Sequence, residues 1–318
     1  MAIIEELDSQ VTTGGASALL KGASRKARRG LSIVLRTNSG RIGFALVAFH
    51  LFLAIFGPSL TPYSPTEFTS EDLKIRLTGP SMEHVLGTDG FGRDVLSRVV
   101  AGARSIIWIS FIGTALGITL GTIVGMTSGY IGGKTDQVVM RGVDVFLAFP
   151  GLLLALLVIN LGVQRIGIDL WPSKEAWLVI ITIGIAFMPA NSRVIRSAAL
   201  AIKPLEFVQS ARLRGESSFY IIFREVLPNI IPVVAVEASI RVSFALLLTA
   251  GLGFLGLGVQ PPTPDWGLMV SENREFLSIA PWAALAPAMA MASLVVGVNL
   301  LTDGVRQAAQ LPISQEAS

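Results

Sequence analysis

SIIWISFIGTALGITLGTIVGMTSG, residues 105–129, holds no charged side chain in 25 consecutive positions. A helix needs about 20 mostly apolar residues to cross the hydrocarbon core of a bilayer, so this run is long enough to span one. The strands of a membrane barrel would instead alternate over short segments. Within the run, Gly113, Gly117, Gly121 and Gly125 recur every fourth position. That spacing lays a stripe of small residues along one helix face, where a second helix can approach closely. Five further apolar runs lie at about 42–60, 143–163, 177–194, 231–257 and 280–301. The chain therefore reads as an all-α polytopic membrane protein with six transmembrane helices over 42–301. A polar leader at 1–41 and a tail at 302–318 flank them.

Composition agrees. Of 318 residues, 52% are hydrophobic and 15% charged, where a soluble domain carries about a quarter. There is no cysteine, which excludes disulfides, thiolate metal sites and a cysteine nucleophile. The net charge is +3, and in a membrane protein such an excess marks the cytoplasmic side rather than a nucleic-acid partner. Sixteen Lys and Arg residues fall on the side of the termini, the turn near Gly133 and the segment 195–230; eight fall on the other. Both termini are thus expected in the cytoplasm, with a long outer loop at 61–104. The leader carries Arg25, Lys26, Arg28 and Arg29 and shows no cleaved-signal pattern. Trp171, Trp177, Trp266 and Trp282 flank outer ends as an interfacial belt would.

The longest internal polar segment holds Lys203-Pro204-Leu205-Glu206-Phe207-Val208-Gln209-Ser210-Ala211-Arg212-Leu213-Arg214-Gly215. Pro204 suits a first helical turn, Glu206 suits the positive end of the dipole, and Gly215 suits a left-handed helix end. A second short helix is expected from about 217 to 226, stopped by Leu227-Pro228. Such a helix–Gly–helix element can dock into a groove on another protein; an ordinary cytoplasmic loop is the alternative.

This segment resembles the coupling-helix motif of ATP-binding-cassette importer permeases. That motif reads Glu-Ala-Ala, three residues, Gly, and Leu-Pro twelve residues after the Gly. Gln209-Ser210-Ala211, Gly215 and Leu227-Pro228 occupy those places, with Gln209 for the usual Glu and Ser210 for the first Ala. Gly87-Thr88-Asp89-Gly90-Phe91-Gly92-Arg93-Asp94-Val95-Leu96-Ser97-Arg98 and Arg141-Gly142-Val143-Asp144-Val145-Phe146-Leu147-Ala148-Phe149-Pro150 are similar to signatures of dipeptide/oligopeptide/nickel permeases. Phe254-Leu255-Gly256-Leu257-Gly258-Val259-Gln260-Pro261-Pro262-Thr263-Pro264-Asp265-Trp266-Gly267 looks like the C-type subunit of the permease pair. The resemblance covers about residues 36–310.

The resemblance implies one half of a transmembrane pathway for peptides or a similar small solute, in a bacterial inner membrane. Its implied partners are a homologous second permease, two cytoplasmic ATP-binding-cassette ATPase subunits and an extracytoplasmic substrate-binding protein. ATP would be bound by the partner subunits, with no cofactor and no catalytic residue in this chain. Leu205, Glu206, Gln209, Ser210, Ala211, Gly215, Leu227 and Pro228 would transmit force. Gly87, Asp89, Gly92, Arg93 and Asp94 would shape the outer vestibule.

Other features have plainer readings. Gly132-Gly133-Lys134-Thr135 resembles the end of a P-loop, but position 128 is Ser and no strand precedes it; a flexible turn is expected. Asp89 and Asp94 are too few ligands for a metal, and Asp89 is expected to cap a helix while Arg93 or Arg98 pairs locally. Glu237 and Arg241, four apart in the fifth run, share a helix face as either an internal ion pair or part of the pathway. Asn160, Asn191 and Asn299 are expected to donate hydrogen bonds between helices. His50 and His84 make no catalytic set. An ion-coupled secondary transporter is the competing function; it predicts inverted repeats and midplane carboxylates, and Glu237 alone lies well inside a run. A membrane enzyme would need a nucleophile–base pair or metal ligands, and no such motif appears.

Overall fold

The protein is described by a computed structural model over residues 35, 37–67, 72–165 and 173–310. The leader's basic cluster and Trp171 lie outside these residues. The helices are α1 (Asn38–Leu60), α2 (Val95–Ile131), α3 (Gly133–Ala148), α4 (Gly151–Arg165), α5 (Lys174–Ile202), α6 (Glu206–Leu213), α7 (Ser218–Phe254), α8 (Trp266–Asn273) and α9 (Pro281–Gln310). A single β-bridge, Thr88 to Asp94, is the extent of sheet structure among the described residues. Among the described residues five helices are long and apolar enough to cross a membrane, and α3 with α4 makes a sixth if that bent pair is one span.

The helices outrun the apolar runs that announced them. α2 begins at Val95, where the Asp94 side chain accepts from Ser97 N–H at 2.7 Å, so the loop before it spans 61–94 rather than 61–104. α9 continues past Leu301 to Gln310, so the expected tail begins as helix. α1 starts at Asn38 behind a Thr37 cap, taking the last residues assigned to the leader. At Gly132 and Gly133, both at positive φ, α2 turns directly into α3, where a flexible turn was expected.

Two prolines shape the spans differently. Phe149 precedes Pro150 and is therefore pushed to extended backbone (φ −82°, ψ 127°). The run 143–163 breaks there into α3 and α4, bent by 90°. Leu227-Pro228, expected to stop a helix, does not: α7 runs unbroken from Ser218 to Phe254. Its residues Ile221–Val226 are π-helical, and Leu227 N–H donates to Ile222 five residues back. Pro228 then falls in the first turn of the regular α-helical stretch, where a missing N–H is tolerated.

The glycine stripe decides the centre. A Cβ at Gly113 would meet Ile183 at 2.8 Å, one at Gly117 Phe187 at 2.9 Å, and one at Gly121 Asn191 Cβ at 2.8 Å; Gly125 faces the Ser192–Arg196 backbone. Both sequences ascend together, so α2 and α5 run parallel and in step. α1 runs antiparallel to α9, with Gly43 against Gly297 and Leu301 and His50 near Ser293. Three apolar clusters fill the bundle. One end, called here the base, carries α6; the other, the crown, carries the 61–94 loop and α8. Trp266, expected in an interfacial belt, is instead core: it is fully buried and its indole N–H donates to Val99 O at 2.8 Å.

Candidate functional site

At the base, Leu205 is the extended N-cap residue of α6 (φ −68°, ψ 151°) and Glu206 opens its first turn, near the positive dipole end. Pro204 sits one residue before that cap rather than in the first turn. Val208 and Ala211 are fully buried among Met126, Tyr130, Ile195, Ala199, Ile221 and Val226. Gln209 and Ser210 point the other way and are exposed; Gln209 donates back to Lys203 O at 3.1 Å. The helix ends in a Schellman turn: Glu216 N–H donates to Ala211 O at 3.2 Å, Gly215 N–H to Arg212 O at 2.9 Å, and Gly215 has φ +80°. No atom lies within 4 Å of a Cβ placed on Gly215, so the turn itself, not crowding within the chain, calls for glycine.

The outward rim of this element is apolar. Leu213 is 89% and Phe219 72% exposed, and Phe219 packs against Phe223 with ring centres 4.6 Å apart and planes tilted by 43°. Underneath, Arg212 Nε donates to the Tyr130 hydroxyl at 3.2 Å, and its guanidinium lies 5.0 Å from the ring centre. Sequence reasoning missed Tyr130, whose place at the end of an apolar run carried no signal of a partner 82 residues away.

Beside this element, α3 and α5 form an open groove of about 520 Å³ lined by Asp136, Gln137, Met140, Arg141, Asp144 and Arg193. Arg196 donates from Nε and Nη2 to the two Asp136 oxygens at 2.6 and 2.5 Å, and Arg193 Nη2 donates to Asp144 at 2.5 Å. Charges on this surface cannot face acyl chains cheaply, so the groove belongs against protein or water.

Inside the bundle, Glu237 is buried and accepts from Arg241 Nε at 2.8 Å and more closely from Nη2. The pairing expected from their spacing is present. Asn191 donates to Ile118 O across helices at 2.9 Å, and Asn299 accepts from Ser243 at 2.8 Å rather than donating. Asn160 bonds Leu156 O in its own helix, not across one.

At the crown, Gly87, Asp89, Gly92, Arg93 and Asp94 form a tight buried loop. Gly92 N–H closes on Asp89 O at 3.0 Å, and Gly87 and Gly92 both adopt positive φ. A Cβ on Gly87 would also strike Trp282 Nε1 at 2.6 Å. Asp94, not Asp89, caps α2, and it also takes His84 Nδ1 at 2.9 Å. Asp89 accepts from Phe91 N–H, Arg93 N–H and Arg93 Nε. Arg93 reaches beyond its own loop, to Glu272 of α8 at 2.6 Å. Asp265 caps α8 through Leu268 N–H at 3.0 Å; complete burial pushes its carboxyl up to about 6 against the opposing pull of the Leu268 and Gly267 amides. Among the described residues no group of three His, Cys, Asp or Glu side chains could hold a metal.

The fold is a bundle of helices long and apolar enough to cross a membrane, with a projecting helix–Gly–helix element at one end and a pinned loop at the other. Residues 117–310 match the family described as "Binding-protein-dependent transport system inner membrane component", and the chain belongs to it. It is 37% identical over 267 residues to the dipeptide transport system permease protein DppC of Alkalihalophilus pseudofirmus, covering 84% of each chain. It is 40% identical over 258 residues to the glutathione transport system permease protein GsiD of Shigella flexneri, covering 81% of each. A solved inward-facing MetNI methionine ABC transporter shares the fold at TM-score 0.52 and 19% identity, over 66% of this chain and 96% of that one. The chain is thus a permease component of an ATP-binding-cassette importer, a transport subunit and not an enzyme. The secondary-transporter alternative falls away.

Proposed function

We propose that this permease forms half of a transmembrane route for short peptides and couples it to ATP hydrolysed by partner subunits. The observation that carries the coupling is the base element. Its inner face is packed into the bundle through Val208 and Ala211, while Leu213 and Phe219 stand exposed on its rim. An apolar rim on a short helix suits the groove of a cytoplasmic ATPase subunit. Leu205, Glu206, Gln209, Ser210 and Gly215 face or frame that contact; Leu227 and Pro228 carry it along α7. The base is then cytoplasmic, both termini lie on that side, and the crown faces an extracytoplasmic binding protein. Gly87, Asp89, Gly92, Arg93 and Asp94 hold the shape of the outer vestibule from within. The charged α3–α5 groove faces the second permease or the aqueous route.

Peptide as the cargo is supported by relatives named for dipeptide and for glutathione transport. The test is affinity purification of the tagged chain from its own membrane, followed by uptake of labelled dipeptide into vesicles holding the recovered complex. Recovery with a second permease and two ATPases, and ATP-dependent dipeptide uptake, supports the proposal. A lone chain that transports by itself sinks it.

A further inference from the structure

The α3–α5 groove at the base holds two ion pairs of unequal tightness. Asp136 is buried and takes both Nε and Nη2 of Arg196, so this pair makes a fixed wall. Asp144 and Arg193 meet through one nitrogen, and their side chains are 56% and 54% exposed. A pair so exposed contributes little and opens readily. Arg141, one turn before Asp144 on α3, is exposed and makes no hydrogen bond or ion pair with a described residue. Two carboxylates therefore face three guanidinium groups, with one cation in excess.

Size and spacing fit a short zwitterion. The groove's volume of about 520 Å³ lies in the range of small-molecule sites, and Gln137 and Met140 add an amide and an apolar side chain to its lining. Arg141 and Asp144 stand three apart on one helix, about 5–6 Å between Cβ atoms. Two extended residues span about 7 Å. The long arginine side chain makes up the difference, so the two groups can hold opposite ends of one dipeptide. An anionic headgroup would instead be set against both carboxylates.

We propose that this groove is a binding station for free short peptides at the cytoplasmic mouth of the route. Arg141, joined by Arg193, takes the terminal carboxylate; Asp144 takes the terminal ammonium; the Asp136–Arg196 wall stays closed. Binding exchanges the loose Arg193–Asp144 pair for charge-assisted contacts to both ends of the ligand. The inference rests on the proposed reading of the base as cytoplasmic and of peptide as the cargo.

The chain has no cysteine, so Gln137→Cys puts its one thiol in the groove. Maleimide labelling of this chain is followed in the purified assembled transporter, with dialanine, N-acetyl-dialanine or dialanine amide added. Half-exposed charges in an open groove place Kd near ~1 mM. At about 10 mM, dialanine then slows labelling about tenfold, because only empty sites react. The two capped forms leave the rate unchanged, as does dialanine at Thr135→Cys, an exposed position of α3 outside the groove lining. Adding Arg141→Met to Gln137→Cys removes the protection. Ser197→Cys, on the α5 wall, gives the same reading if Gln137→Cys does not assemble.

Equal labelling with and without dialanine, equal protection by the capped forms, or protection that survives Arg141→Met overturns the station. So does a thiol that labels in the lone chain and not in the complex, which would mean that the second permease covers the groove. ATP-dependent dipeptide uptake without protection retires the station alone; protection without such uptake retires the cargo reading and leaves the site.

Discussion

Arg212 Nε donates to the Tyr130 hydroxyl at 3.2 Å, tying the projecting helix α6 to the last turn of α2. The bond is the polar edge of an otherwise apolar seat made by Val208 and Ala211. Tyr130→Phe keeps the ring and removes this bond, at a cost of about 1 kcal/mol. Thermal unfolding of the purified chain is expected to drop by a few degrees, while uptake by the assembled complex falls only partly. An unchanged melting curve would show that the apolar seat suffices.

Gly215 tests coupling more directly. Its φ of +80° costs an L-residue about 1–2 kcal/mol, yet there is open space around it. Gly215→Leu should insert and fold, and abolish uptake; normal transport would remove α6 from the coupling path.

The α2–α5 stripe should be unforgiving. Gly121→Val forces atoms against Asn191 and the Met188 carbonyl, and overpacking of this kind costs about 1–3 kcal/mol. Gly142, with nothing within 4 Å, should accept Ala and gain up to about 1 kcal/mol in helix propensity. Paired melting curves of the purified variants check both signs.

Asp265 makes stability depend on pH. Its pKa, raised from 3.8 to about 6, means that the fold prefers the protonated form. This contribution is complete below about pH 4 and is lost as pH rises through 6, on the order of 3 kcal/mol in all. Asp265→Asn keeps a cap acceptor without the charge. It should raise the melting temperature at pH 8 and leave it unchanged near pH 4; equal effects at both would count against a buried carboxylate.

Glu237 and Arg241 remain open to two roles, and a double-mutant cycle separates them. Arg241→Met strands the buried Glu237 carboxylate, at about 3–5 kcal/mol; Glu237→Gln leaves the half-buried Arg241 unpaired at a smaller cost, and the double relieves both. If the pair is structural, Glu237→Gln with Arg241→Met recovers both folding and uptake. Recovery of folding without uptake would place the pair on the route.

The spans were legible because bilayer crossing demands about 20 apolar residues in a row, a constraint written locally. The glycine stripe was legible for the same reason: spacing on a helix fixes a face, and Gly113 to Gly125 do line the α2–α5 contact. Helix ends were less so. Asp89 and Asp94 are both plausible caps in sequence, and only the loop closed by Gly92 on Asp89 leaves Asp94 in the capping position. Trp266 misled because an aromatic near a span end suits an interface as well as a core, and its partner Val99 lies 167 residues away.

By itself the sequence determined that this chain is helical, crosses a membrane repeatedly, and carries a helix–Gly–helix element, since each follows from hydrophobic length, periodicity or backbone freedom within a few turns. Tertiary structure decided which charges meet. Arg93 with Glu272, Arg196 with Asp136 and Arg212 with Tyr130 are joined across 179, 60 and 82 residues. Electrostatic and hydrogen-bond partners are chosen by distance in space, and spacing along one chain encodes that distance only inside a single helix.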